Sequence, residues 1–135
     1  MEPSVEIDVR GGISPDYHLD ITLINQSAHP LTTYQYSLPW GGRYSILLIA
    51  VKTDAGGTVL DRSWPIDDPG PAIVTIKPSE TLTGKILLVS RFPGFLEALK
   101  ERDVVVFWSY QFQSIEGDSL SRVGGCVLFS KSSKA

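Results

Sequence analysis

The chain has 135 residues, 42% hydrophobic and 20% charged, with a formal net charge of −3 and one cysteine, Cys126. This composition belongs to a single globular domain rather than a disordered segment. It excludes an internal disulfide and offers neither a basic footprint for nucleic acid nor a polybasic membrane patch.

"MEPSVEIDVR" has no basic n-region and no apolar h-region, so it does not read as a signal peptide. No apolar run approaches the ~18 residues of a membrane-spanning helix. The expected compartment is the cytoplasm, although an exported protein trimmed of its leader reads the same way.

Period two dominates from the start. In "SVEIDVR" Val5, Ile7 and Val9 share one face, opposite Glu6, Asp8 and Arg10. "YHLDITLIN" resumes the pattern with Leu19, Ile21 and Leu23 inward, and "NQSAHP" is a loop of turn formers. "LTTYQYSL" is a strand with Tyr34, Tyr36 and Leu38 on one face, and "PWGG" is a turn. "YSILLIAVKTD" is a long apolar strand, "DAGG" at 54 to 57 a hairpin signal, and "TVLDRSW" the returning arm.

"PIDDPGP" is an irregular loop, "AIVTI" a strand, "KPSE" a short turn and "TLTGKILLVSRF" the next strand. "GFLEALKERD" switches to helical spacing through Phe95, Leu96 and Leu99, after the break at Pro93 and Gly94. "VVVFWSYQFQ", residues 104 to 113, is the strongest strand, with Val104, Val106, Trp108, Tyr110 and Phe112 on its core face. "EGDS" turns the chain into the last strand, "RVGGCVLFS". Eight or nine short strands with one short helical insert predict an all-β, antiparallel sandwich of immunoglobulin-like or fibronectin-like type. One domain spans residues 1 to 130, and 131 to 135 form a flexible tail.

Catalytic patterns are missing. The chain has no G-x-S-x-G, no H-E-x-x-H, no phosphate loop and no C-x-x-C. His29, before Pro30, reads as a solvated loop residue. His18 points opposite Leu19, toward solvent or a sheet edge, with nothing nearby to complete an acid/base set. No enzyme activity, cofactor or metal is expected. Cys126 reads as a small buried hydrophobe with an inert thiol. Asp61, Asp67 and Asp68 share a loop, but their spacing matches no calcium pattern and a solvated acidic loop is favoured. Asn25 in "NQS" fits a glycosylation acceptor only by accident.

The aromatic residues carry more. Trp108 is read as the core tryptophan, and Trp64, before Pro65, as a cover for one end. Trp40, beside Tyr36, Arg43 and Tyr44, is either a lid on the core or a contact surface of hot-spot residue types. The candidate binding residues are therefore Tyr36, Trp40, Arg43, Tyr44 and Trp64.

The stretch "LDITLINQSAHPLTTYQYSLPWGG", then "TIKPSETLTGKILL" and "VVVFWSYQF", is similar to two families. One is the immunoglobulin-like prodomain of bacterial deuterolysin-type metallopeptidases. The other is the intracellular proteinase inhibitor family, with comparable N-x-S-x-x-P-L and P-S/G-E-x-L turns. The resemblance implies a β-sandwich that binds and restrains a protease. The expected function is a non-catalytic protein-binding module, as inhibitor or prodomain-like restraint, with a protein partner and no nucleic acid or membrane. The alternative is a carbohydrate- or small-ligand-binding module that stacks its ligand on Trp40 and Trp64.

Overall fold

The computed structural model describes residues 4 to 41, 45 to 63, 72 to 117 and 120 to 132. In chain order it contains β1 (Val5–Gly12), β2 (His18–Asn25), β3 (Leu31–Tyr34), a 3-10 turn (Gln35–Ser37), β4 (Ile46–Lys52) and β5 (Thr58–Val59). These are followed by β6 (Ile73–Ile76), β7 (Thr81–Leu87), α1 (Leu88–Arg91), α2 (Phe95–Glu101), β8 (Val104–Tyr110) and β9 (Val123–Phe129). All strand pairs are antiparallel. One sheet runs β1-β2-β7 and the other β5-β4-β8-β9, while β3 pairs with β6. This partition matches immunoglobulin-like sandwiches, where an early strand pair and a later strand face a sheet built on the chain's last strands.

The expected period-two faces meet in the core. Leu19, Ile21 and Leu23 of β2 and Ile86 of β7 face Ile46, Leu48 and Ala50 of β4 and Val104 and Val106 of β8, all buried. Val5, Ile7 and Val9 are half-buried beside them. The hairpin at 54 to 57 forms as expected. Asp54 accepts from the Gly57 and Thr58 amides, and Gly57 takes a φ of 62° that glycine allows at little cost.

Two strand expectations stop short. β3 ends at Tyr34, and the chain tightens into the 3-10 turn, where the Tyr34 and Tyr36 rings stack with centroids 5.0 Å apart. β7 ends at Leu87, and α1 takes over. Leu88, Phe92, Phe95 and Leu99 follow helical spacing, so a continued strand would have turned part of this buried set outward. α2 falls where the period change places it, but it buries Ala98 in place of Leu96, which is exposed. Phe95 anchors it edge-on to Tyr17 and Phe129, with centroids 5.5 and 5.4 Å away.

Three side chains differ from expectation. His18 is buried, because its β1 partner is Gly12: the imidazole lies across that bare backbone, where a side chain would collide with it. Trp108 is only half-buried beside Gly125. Tyr110, Phe92 and Phe95 supply the enclosed aromatic core instead. Cys126 is exposed, since the β8–β9 register sets it opposite Phe107 on the outer face. The expected tail is tied down at its start, where the Ser132 amide donates to the Leu99 carbonyl (2.8 Å) and the Lys131 amide to Asp103 (2.6 Å).

Candidate functional site

Two features of the β5-β4-β8-β9 sheet stand out. The first is its outer face. Register places Leu47 opposite Ser109, Ile49 opposite Phe107, and Val51 between Val105 and Val59. On the other side Val105 faces Leu128, Phe107 faces Cys126 and Ser109 faces Gly124. None of these positions carries a charge. Leu47 and Phe107 are each 47% exposed and Leu128 59%. A solvated antiparallel sheet face normally alternates to polar residues. Here the outer positions of β4 are all apolar, and those of β8 are apolar except Ser109.

The second feature is a cavity of about 350 Å³ at one end of that sheet. Ser45, which opens β4, donates to the Pro39 carbonyl (3.1 Å) and so joins the cavity rim to the "PW" turn. Arg62 and Ser63 follow β5. The Ser63 amide donates to the Arg91 carbonyl (2.8 Å), which fastens this segment to the end of α1. Arg122 leads into β9 and donates to the Ser109 hydroxyl of β8 (2.9 Å).

Three guanidinium-bearing residues, Arg62, Arg91 and Arg122, thus line one space, with Ser45, Ser63 and Ser109 between them. Ile46, Leu48 and Phe92 also border it, but each is almost fully closed to solvent. No acidic residue is among the described lining residues. Leu47 and Ser109 belong to both the cavity and the outer face, which makes the two features continuous. A second depression, lined by Thr53, Glu101, Arg102, Asp103 and Lys131, mixes both charges. Asp103 there is engaged in holding the Lys131 and Thr53 segments.

The candidate residues named from the sequence fare unevenly. Trp40 is half-buried and lies on Gly84 of β7, packed against the core, so the indole is a lid. Tyr36 is exposed and stacks on Tyr34. Arg43, Tyr44 and Trp64 lie outside the described residues, as do Asp67 and Asp68; Asp61 is exposed. The three arginines of the cavity went unnoticed in the sequence, where each stands alone in "DRSW", "VSRF" and "LSRV". The only shared cue is a neighbouring serine, which is too common to mark a site.

The histidines are structurally employed. His18 Nδ1 lies 2.6 Å from the Asp16 carbonyl and Nε2 3.0 Å from Asp20 Oδ2. The His29 carbonyl accepts from both Asn25 and Ser27. Asn25 is fully buried and so is not presented as a glycosylation acceptor. Its amide nitrogen donates to the His29 and Ile76 carbonyls, and its oxygen accepts from the Ser27 amide and hydroxyl. Its backbone bonds Ser79 (2.8 Å) and Glu80 (3.2 Å), so the N-x-S and P-S-E turns lock together. Among the described residues no three His, Cys, Asp or Glu side chains group to hold a metal, and no helix is long and apolar enough to cross a membrane.

No family model and no curated protein matches the chain. Among solved structures, it is similar to an X-ray structure of a Northeast Structural Genomics Consortium target. That match has 14% identity and a TM-score of 0.39, and covers 99% of this chain and 89% of the other. A crystal structure of a protein from Archaeoglobus fulgidus is similar at 14% identity and a TM-score of 0.43, covering 96% and 98%.

Proposed function

We propose that this chain is a non-catalytic protein-binding module whose contact surface is the outer face of β4, β8 and β9. The observation that carries this reading is the absence of charge across that whole registered face, with Leu47, Phe107 and Leu128 open to solvent. Contiguous exposed apolar patches of this kind mark interaction surfaces.

The partner's chemistry follows from area and charge. Three seven-residue strands, at about 3.4 Å per residue and ~4.8 Å between strands, make a plate of roughly 24 by 14 Å. Its projected area of roughly 340 Å² is under half of the ~800 Å² per side of a standard stable interface. A second copy stacked on the plate alone would therefore bury too little. A different protein, apolar over the plate and carrying carboxylates toward the arginine end, covers more and matches the charge. The narrower identity, a protease inhibitor or prodomain-like restraint, is supported by the turn resemblance, and the predicted partner is then a protease.

The test uses the parent and a Phe107→Asp variant, both confirmed folded by circular dichroism. Proteins of the source organism that the parent retains are purified and titrated singly. The reading stands if a purified partner binds the parent and weakens at least about tenfold with the variant, the loss expected when a charge is buried unpaired. It fails if parent and variant bind alike, or if the parent sediments as a dimer through this face. A retained peptidase whose activity falls on adding the parent supports the narrower identity.

A further inference from the structure

The last strand of the larger sheet, β9, ends that sheet with an open backbone edge. We propose that this edge takes up an extended segment of the partner protein as a further strand. The segment alternates apolar with polar residues and carries a carboxylate at each end. The inference rests on the reading of this chain as a protein-binding module, but it uses the edge of β9 and not the plate.

The order β5-β4-β8-β9 leaves β9 paired on one side only. Among the described residues, its backbone bonds nothing beyond the β8 ladder. Gly124 and Gly125 are exposed, and without side chains that exposure belongs to the backbone itself. Native edge strands are normally guarded by charge, proline, a bulge or shortness. β9 has seven residues in unbroken register with β8, and "VGGCVLF" contains none of those guards. The other strand at this side of the sandwich, β1, is guarded by Glu6, Asp8 and Arg10.

The seam between the two sheets specifies the segment's pattern. Gly11 of β1 lies against Val127 and Phe129, which closes the seam at the end of β9. Toward the start of β9 it is less closed. Val123 is 42% exposed, and Trp108, whose indole lies against Gly125, is half-buried. A strand added beside β9 turns every second side chain toward this seam, where apolar residues cover Val123 and Trp108. The intervening side chains stay in solvent beside Cys126 and Leu128.

Charge and area select the occupant. Arg122 precedes the strand and Lys131 follows it, and neither is in an ion pair among the described residues. Carboxylates at the two ends of an added segment complement them. A second copy paired edge to edge about Cys126 does the reverse, because each Arg122 comes within one residue of the other copy's Lys131. Seven residues at ~3.4 Å each, in a sheet layer ~10 Å deep, offer roughly 240 Å². That is under a third of the ~800 Å² per side of a standard stable interface. An extended segment needs no such area, since its backbone pairs along its length and its apolar side chains enter the seam.

The probe is a synthetic peptide of about nine residues, alternating valine and threonine between terminal aspartates. Two further forms are N-methylated, one on the valines and one on the threonines, so that each loses the donors of one edge. In calorimetry with the full chain, the plain peptide is expected to bind one-to-one and to weaken as salt is added. One methylated form is expected to bind like it and the other at least about tenfold more weakly, as pairing along a single edge requires. Hydrogen exchange over residues 123 to 129 is expected to slow on binding. Val123→Asp, at an exposed position, is expected to weaken the peptide at least about tenfold with circular dichroism unchanged.

No binding up to about 1 mM peptide overturns the inference. So do equal affinities of the two methylated forms, unchanged exchange over 123 to 129, or unchanged affinity in Val123→Asp. A free chain that sediments as a dimer with that segment already protected gives the edge to a second copy, and also overturns it. Phe107→Asp separates the two proposals. It is expected to abolish docking on the plate and to leave peptide affinity within about twofold. Peptide binding lost in that variant places the segment on the plate, so the edge inference falls and the docking reading stands. Peptide binding kept by a variant that still docks a protein partner fully has the opposite meaning.

Discussion

The indole of Trp40 lies across Gly84, in contact with backbone that any larger residue of β7 would cover. Trp40 is therefore folded back onto β7, and its indole covers part of the core. Ser45, bonded to the Pro39 carbonyl, is what this part of the chain contributes to the cavity rim, and Trp40 is not among its lining residues.

Gly84→Ala is expected to lift the indole from β7, because the added methyl would overlap its ring atoms. Overpacking of this kind costs about 1–3 kcal/mol. Denaturant unfolding gives the energy. Acrylamide quenching, with Trp64 and Trp108 replaced by Phe, is expected to rise on the substitution. Unchanged quenching would show that Trp40 does not rest on this glycine.

Asn25 has all four of its side-chain hydrogen-bonding positions filled. Removing the amide with Asn25→Ala takes the side-chain partner from the Ser27 amide and the Ile76 carbonyl inside the fold, and is expected to cost about 3 kcal/mol in urea unfolding. Asn25→Asp keeps the shape but aims a carboxylate at the His29 and Ile76 carbonyls. That carboxyl's folded value is raised, so the variant is expected to gain stability as pH falls, when the group can donate again. A variant insensitive to pH would contradict the donor role of the amide.

Tyr110 donates its hydroxyl to the Ser37 carbonyl at 2.6 Å, and burial pushes its ionisation above the ordinary 10.0. A raised folded value means that the contribution is whole below the ordinary tyrosine range. It declines above that range, where the unfolded chain ionises and the folded one does not. Phenolate absorbance in an alkaline titration is expected to show one tyrosine ionising together with unfolding. Tyr110→Phe should remove that component and cost about 1 kcal/mol at neutral pH.

Leu47 and Leu48 are neighbours on β4 with opposite fates, one open on the outer face and one 4% exposed in the core. Leu48→Ala is expected to cost about 2–5 kcal/mol through the cavity it leaves. Leu47→Lys should change stability by no more than about 0.5 kcal/mol. Equal losses at both positions in chemical denaturation would show that the outer face is covered in the isolated chain.

The class of fold was legible along the chain, because burial on a sheet imposes a period of two. Leu19, Ile21 and Leu23, the hairpin at 54 to 57 and the helix after Gly94 were all legible as local patterns. It also held a cue that local reading passed over. "ILLIAV" and "VVVFW" are apolar at consecutive positions, which a sheet solvated on one face does not need. Other features depend on partners distant in the chain. Gly12 opposite His18 buries an imidazole that alternation alone turns outward. Phe107 opposite Cys126 puts the thiol in solvent. Arg62, Arg91 and Arg122 have no common spacing and meet only because β5, α1 and the approach to β9 end at one corner of the sandwich. A pattern along the chain records what each residue buries against its own element. A site formed by three elements is set by strand order and register, which no single stretch of sequence carries.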